Sequence, residues 1–206
     1  MWQAFATKHQ LALLGVRLTD KPHEQSFIAT APLLLWGTSA GGEFNYEFVA
    51  WKPERVIAFV VNKGGIYYSG LLPQAARNVP GILFVGGKDL EFRTHAIVGL
   101  FAMNRRAGAL WALAEEPNVA HAPGRSRDMA LVFFEDVLAL RLPEAGTQAI
   151  TLRSIAELSG FIGDLKARTA QRQNDGPAPT VPTAWLPTAR TARAWKALVT
   201  DKPFDP

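Results

Sequence analysis

The chain has 206 residues and 48% hydrophobic against 19% charged residues, which is typical of one globular domain and excludes a disordered chain. Its longest apolar runs, LALLGV and APLLLWG, are far shorter than the roughly 20 residues of a membrane-spanning helix, so we expect no membrane partner. Most of the net charge of +4 is spread along the tail 164–206, which favours a solvated surface over a nucleic-acid site.

Short apolar runs alternate with helical patterns along the first two thirds of the chain. Candidate strands are 11–18, 32–37, 55–62, 81–86 and 109–115, and candidate helices are 40–51, 94–107 and 127–140. This alternation is typical of parallel strands joined by crossover helices. It predicts an α/β fold with a mostly parallel sheet of about five strands and helices on both faces.

The regularity weakens after Pro143. We expect one domain over 1–206, with 144–206 as an irregular C-terminal extension packed on it. The segment 171–188 contains four prolines and is predicted to be an extended loop anchored by Trp185. A last helix is predicted over 189–199.

The absence of cysteine limits the chemistry of the chain, whereas the absence of a secretion signal does not settle its localisation. The chain has no cysteine, which excludes disulfides, thiolate catalysis and cysteine-ligated metals. MWQAFATKH lacks the charged and then apolar pattern of a secretion signal, but this leaves the localisation open.

The strongest motif is GTSAGG (37–42), which stands between the strand 32–37 and the helix 40–51. Gly-x-Ser-x-Gly between a strand and a helix predicts a nucleophile elbow, a tight turn that lifts the serine hydroxyl above the sheet. Ser39 is therefore the candidate nucleophile. The backbone N–H of Ala40 is the candidate oxyanion donor.

A serine hydroxyl needs a histidine base that a carboxylate holds in place, and this fold supplies them in the order Ser, Asp or Glu, His. Asp89 follows the strand 81–86, and His121 follows the strand 109–115. Both are expected at the sheet edge that carries Ser39. We expect a His121 ring nitrogen within about 2.6–3.2 Å of the Ser39 hydroxyl, or somewhat farther without a ligand.

Other residues are alternatives for parts of this site. Glu91 is the second choice for the acid, and Asp128 is a weaker one. Tyr67 and Tyr68, in the loop 62–70, either stack on a sugar or phenolic ring or simply pack. Arg93 either binds a substrate carboxylate or forms a structural ion pair.

The segment 31–143 resembles the esterase branch of the α/β-hydrolase superfamily, near the polyhydroxybutyrate-depolymerase-like and feruloyl-esterase-like carbohydrate esterases. The pattern WLP…A.AW at 185–195 is similar to the end of such proteins. The resemblance implies a serine esterase that cleaves a carboxylic ester through Ser39, Asp89 and His121. Its partner would be a small-molecule or carbohydrate-linked ester, and it would need no cofactor or metal.

The chain departs from this family at its start. Such proteins carry further strands before the helix that MWQAFATKH resembles, and one of their loops supplies a second oxyanion amide. We expect that loop to be missing. The segment 19–31 is also short for a crossover helix. The second hypothesis is therefore a truncated or decayed, inactive remnant that keeps the elbow as scaffold.

A shortened sheet predicts self-association. Trp2, Phe5, Leu11 and Leu13 would lose the cover that a complete sheet provides, and exposed apolar surface promotes association. We expect an oligomeric or poorly soluble chain, less stable than a complete hydrolase. Size-exclusion chromatography with thermal melting checks this, and a monodisperse monomer with one cooperative transition at high temperature would contradict it.

Overall fold

The computed structural model describes residues 1–13, 31–143, 151–173 and 182–204. The chain divides into two compact units, Met1–Ala31 and Pro32–Pro206. The first unit contains α1 (Trp2–Lys8), in which the Phe5 ring lies 6.4 Å from Trp2 and 4.6 Å from His9. Residues 11–13 have no regular structure. The remainder of the predicted strand 11–18 lies outside the described residues.

The second unit is built on a parallel sheet of four described strands in chain order. They are β1 (Leu33–Thr38), β2 (Val56–Asn62), β3 (Gly81–Gly86) and β4 (Trp111–Glu116). The α/β class and the parallel pairing are confirmed. The sheet has four strands in the described part, where we expected about five.

Helices connect these strands and cover both faces of the sheet. They are α2 (Ala40–Trp51), the short α3 (Gln74–Arg77), α4 (Glu91–Arg106) and α5 (Ser126–Arg141). Alternate strand residues such as Phe59 and Leu83 form one core cluster with side chains of α2 and α4. The intervening strand residues face the other side, where α5 packs on β2. None of the described helices is long and apolar enough to cross a membrane.

The C-terminal segment is more regular than predicted. It contains a small antiparallel sheet, with β5 (Phe161–Asp164) between β6 (Thr169–Arg172) and β7 (Ala184–Leu186), followed by α6 (Ala189–Val199). Strands of three or four residues are too short to show a periodic pattern, and the prolines flank β7 instead of interrupting it. Trp185 anchors this segment, as predicted. It is fully buried and donates from Nε1 to the Glu157 carbonyl at 3.0 Å.

Helix α6 is an integral part of the second unit. Trp195 is fully buried, packs against Gly163 of β5, and donates from Nε1 to the carbonyl of Leu113 in β4 at 2.7 Å. Thr188 caps the helix by accepting from the Thr191 N–H at 3.0 Å. The last helix is thus attached to the main sheet by a buried hydrogen bond.

We predict that Trp195→Phe lowers the free energy of unfolding by about 1–3 kcal/mol, because it leaves a buried backbone carbonyl without its donor. Urea denaturation measures the loss. Arg193→Ala, at an exposed position of the same helix, is the matched control. Equal stability of the two variants would contradict the role of this bond.

Candidate active site

The turn after β1 has the strained backbone of a nucleophile elbow. Ser39 has φ 55° and ψ −127°, a conformation that residues with a side chain rarely adopt. Its N–H donates to the Asn62 carbonyl at 2.8 Å, which continues the pairing with β2. Its carbonyl accepts from Gly42 at 2.8 Å and Glu43 at 3.1 Å, which starts α2. Hydrogen bonds on both sides therefore hold the turn.

The close approach of the strand end to the helix start requires glycine at position 37. A Cβ on Gly37 would lie 2.2 Å from the carbonyl carbon and oxygen of Gly41, so no side chain fits there. The Ala40 N–H, at the start of α2, donates to no carbonyl in the described chain. It is therefore one of the unpaired N–H groups that the first turn of a helix leaves.

The loops after β3 and β4 bring a carboxylate and an imidazole together. Asp89 Oδ2 lies 2.9 Å from His121 Nδ1. The other carboxylate oxygen accepts from the Leu90 N–H at 2.7 Å and from Arg93 Nη1 at 3.0 Å. The Asp89 side chain is 3% exposed and the His121 side chain 32%, so the acid is enclosed and the imidazole is accessible.

Burial of Asp89 opposes its ionisation, but the hydrogen bonds from His121, Leu90 and Arg93 outweigh it and lower the pKa of this carboxyl. Asp89 is consequently an anion at neutral pH, and an anion next to Nδ1 favours a proton on that nitrogen. The Nε2 atom of His121 is then free to accept a proton from another group.

Ser39 lies at the same edge of the sheet as this pair. The register joins Thr38 to Asn62 and Gly86 to Glu116, so all four strands end at that edge. With strands about 4.8 Å apart, the ends of β1 and β3 are separated by roughly 10 Å. Among the described residues no hydrogen bond joins Ser39 to His121, and the longer separation that we expected without a ligand stays a prediction.

The two alternative acids lie elsewhere. Glu91 is the exposed first residue of α4, and Asp128 is exposed in the first turn of α5. His121 pairs with Asp89 instead of either. The geometry therefore favours Asp89 as the acid.

Two of the substrate-binding candidates have structural partners instead. Arg93 is paired with Asp89 at 3.0 Å, which favours the ion-pair interpretation. The Tyr67 ring is partly buried and packs edge-on against Tyr46 of the core at 5.2 Å, so it is not free to stack on a ligand. Burial raises the pKa of its hydroxyl far above the usual range. Tyr68 is 90% exposed and remains available.

Sequence analysis missed the carboxylates that hold the loop after β2. Glu43 Oε1 accepts from the N–H groups of Gly65 at 2.7 Å and Ile66 at 3.0 Å. One helical turn later, Glu47 Oε1 accepts from the Tyr68 N–H at 2.8 Å. The sequence signal for this contact was the i, i+4 spacing of the two glutamates, which places both on one side of the helix that follows the elbow.

A buried ion pair was missed as well. Lys63 Nζ lies 2.9 Å from Glu116 Oε2, with side-chain exposures of 0% and 4%. The signal was a charged residue next to each of two apolar strands, in VVNKGG and ALAEE. Within the described ranges, no group of three or more histidine or carboxylate side chains is arranged to hold a metal ion.

Comparisons with protein-family models, with curated proteins and with solved structures yield no significant match. What the site can do must therefore follow from its own residues.

We predict that Asp89→Asn lowers stability at neutral pH and that the deficit shrinks in acid. The lowered pKa of Asp89 means that its stabilisation is present above the ordinary aspartate pKa of 3.8 and is lost as the pH falls through the folded-state value. Urea denaturation of both chains near pH 7 and near pH 3 tests this. A deficit that is unchanged by acid would contradict the assignment.

Proposed function

We propose that the chain is a serine hydrolase that cleaves a carboxylic ester. The observation that carries the proposal is the 2.9 Å contact between Asp89 Oδ2 and His121 Nδ1, at the sheet edge where the Ser39 elbow ends β1. An enclosed anion next to an accessible imidazole is the arrangement that activates a serine hydroxyl. The elbow supplies such a hydroxyl at a helix start.

The proposed reaction has two halves. His121 Nε2 accepts the Ser39 proton as the hydroxyl attacks the ester carbonyl, and the imidazolium then protonates the leaving alcohol as the acyl–enzyme forms. In the second half His121 deprotonates a water that releases the acid and regenerates Ser39. Asp89 orients the ring and stabilises its charged form, and the Ala40 N–H donates to the oxyanion.

Apolar side chains on the neighbouring loops and in the first turn of α4 favour an ester with an apolar or aromatic portion. Ile66 and Tyr68, after β2, and Leu90 and Phe92, after β3, are between 53% and 90% exposed. Exposed apolar surface beside a polar site is typical of ligand recognition. The Arg93 cation is already paired with Asp89, which weakens the case for an acidic substrate.

One observation favours a second candidate, a non-catalytic remnant. Ser39 does not donate to His121 in the described chain. An inactive chain that keeps the elbow only as scaffold would also lack this bond. Catalytic hydrogen bonds are often long before substrate binds, so this geometry is compatible with activity. Labelling of Ser39 separates the two candidates.

We predict that a fluorophosphonate probe labels Ser39 and that Ser39→Ala removes both labelling and hydrolysis of a short activated ester. His121→Ala should reduce the rate by about ten-thousandfold or more, since no other group takes the serine proton. Active-site labelling with mass spectrometry and initial-rate kinetics provide the readouts.

Ser159→Ala is the matched control, because among the described residues that exposed serine hydroxyl donates only to the Ala156 carbonyl. It should label and turn over as the unaltered chain does. Equal hydrolysis by the Ser39→Ala variant and the unaltered chain would overturn the assignment of Ser39. A folded chain that neither labels nor turns over would support the remnant.

A further inference from the structure

A buried polar network lies at the carboxyl edge of the parallel sheet. The Lys63 ammonium donates to Glu116 Oε2 at 2.9 Å and to Asn62 Oδ1 at 3.0 Å. Asn62 Nδ2 in turn donates to Thr38 Oγ1 at 3.2 Å, and the Arg125 N–H donates to Glu116 Oε1. We call Thr38, Asn62, Lys63, Glu116 and the Arg125 N–H the edge network.

The edge network crosses a whole strand. Lys63 follows β2 and Glu116 ends β4, with β3 between them. A Cβ on Gly86, at the end of β3, would lie 3.1 Å from Lys63 Cε and 2.4 Å from the Val119 carbonyl oxygen. The lysine side chain therefore passes over the end of β3, where the Val119 carbonyl leaves no room for a side chain at position 86.

Stability alone does not account for this arrangement. Lys63 has φ 57°, in the left-handed region that disfavours side chains, and its charge is completely removed from water. A buried ion pair is usually no more stabilising than a well-packed apolar pair of similar volume. An apolar replacement would lack the directional hydrogen bonds that the pair makes with its neighbours.

That geometry closes the loop that carries His121. We call residues 117–125 the histidine loop. It leaves β4 at Glu116 and returns to the same side chain, whose Oε1 accepts the Arg125 N–H. Gly124, with φ 56°, packs so closely that a Cβ there would lie 2.4 Å from Oε1. The Glu116 carboxylate thus ties the end of the histidine loop back to the residue from which the loop starts.

The same residues connect to the other parts of the site. The Val119 carbonyl accepts from the Lys88 N–H at 3.0 Å, which ties the histidine loop to the loop of Asp89. At the far end, the Asn62 carbonyl accepts from the Ser39 N–H at 2.8 Å. A continuous path of hydrogen bonds therefore joins the elbow to the histidine loop.

We infer that Lys63 and Glu116 are positioning residues that hold the histidine loop so that His121 stays on Asp89 and faces Ser39. They act through the loop, because their charged groups are buried and contact each other. The inference rests on the proposed function, since it concerns the proton transfer assigned to His121.

The test is the double variant Lys63→Met with Glu116→Leu, which removes the pair without leaving an unpaired charge. Hydrogen exchange of the amides of 117–125 should become about tenfold faster, while the amides of β2 and β3 keep their protection. With a short activated ester, kcat should fall about ten- to a hundredfold and KM should change less than about twofold, because a displaced base slows the chemical step.

The matched control is Arg105→Met with Glu157→Leu, which removes a partly buried ion pair beside the amino end of β4. It should leave the exchange of the histidine loop and kcat unchanged. Should the first double variant fail to fold, Gly124→Ala keeps both charges and displaces the loop from the Glu116 carboxylate. We expect it to give the same loop-specific exchange and the same fall in kcat.

Unchanged loop exchange in a folded Lys63→Met, Glu116→Leu variant would overturn the inference, as would an equal fall of kcat in the control. Faster exchange with unchanged kcat would also overturn it. The exchange measurement needs no substrate. If the chain has no esterase activity, the proposed function is refuted. The hydrogen-exchange measurement still decides whether Lys63 and Glu116 position the histidine loop.

Discussion

Parallel pairing of the four main strands is the constraint on which the rest of the second unit depends. Because β1 to β4 run in the same direction, Ser39, Lys63, Asp89 and His121 all follow strand ends at one edge. One antiparallel strand would send its loop to the opposite edge and remove a member of the site. The close crossing at Gly37 then sets the direction in which α2 leaves that edge.

The two enclosed carboxylates at this edge have different partners and therefore different chemistry. Asp89 faces an accessible imidazole, which can gain and lose a proton beside a fixed negative charge. Glu116 faces Lys63, and both side chains of this pair are enclosed. The first arrangement suits proton transfer, and the second suits a fixed geometry.

The C-terminal segment also reaches the candidate site. Asp201, just after α6, accepts from the Asn118 side chain at 2.7 Å and pairs with Arg125 at 3.3 Å. Both partners lie in the histidine loop, so that loop is contacted by the end of the chain as well as by Glu116. Exposed ion pairs of this kind contribute little stability, whereas the buried bond from Trp195 to β4 carries more of the attachment.

The sequence by itself determined the α/β class, the positions of the four strands along the chain and the elbow motif, because apolar periodicity and the spacing of glycines are local properties that a chain displays directly. The helices α2 and α6 have the predicted bounds for the same reason. Only the tertiary structure decided which carboxylate meets His121, that Tyr67 packs against the core, and that Arg93 pairs with Asp89. It also decided that Lys63 reaches across β3 to Glu116, because the partner of a buried charge depends on residues that are distant in sequence and become neighbours only when the strands align.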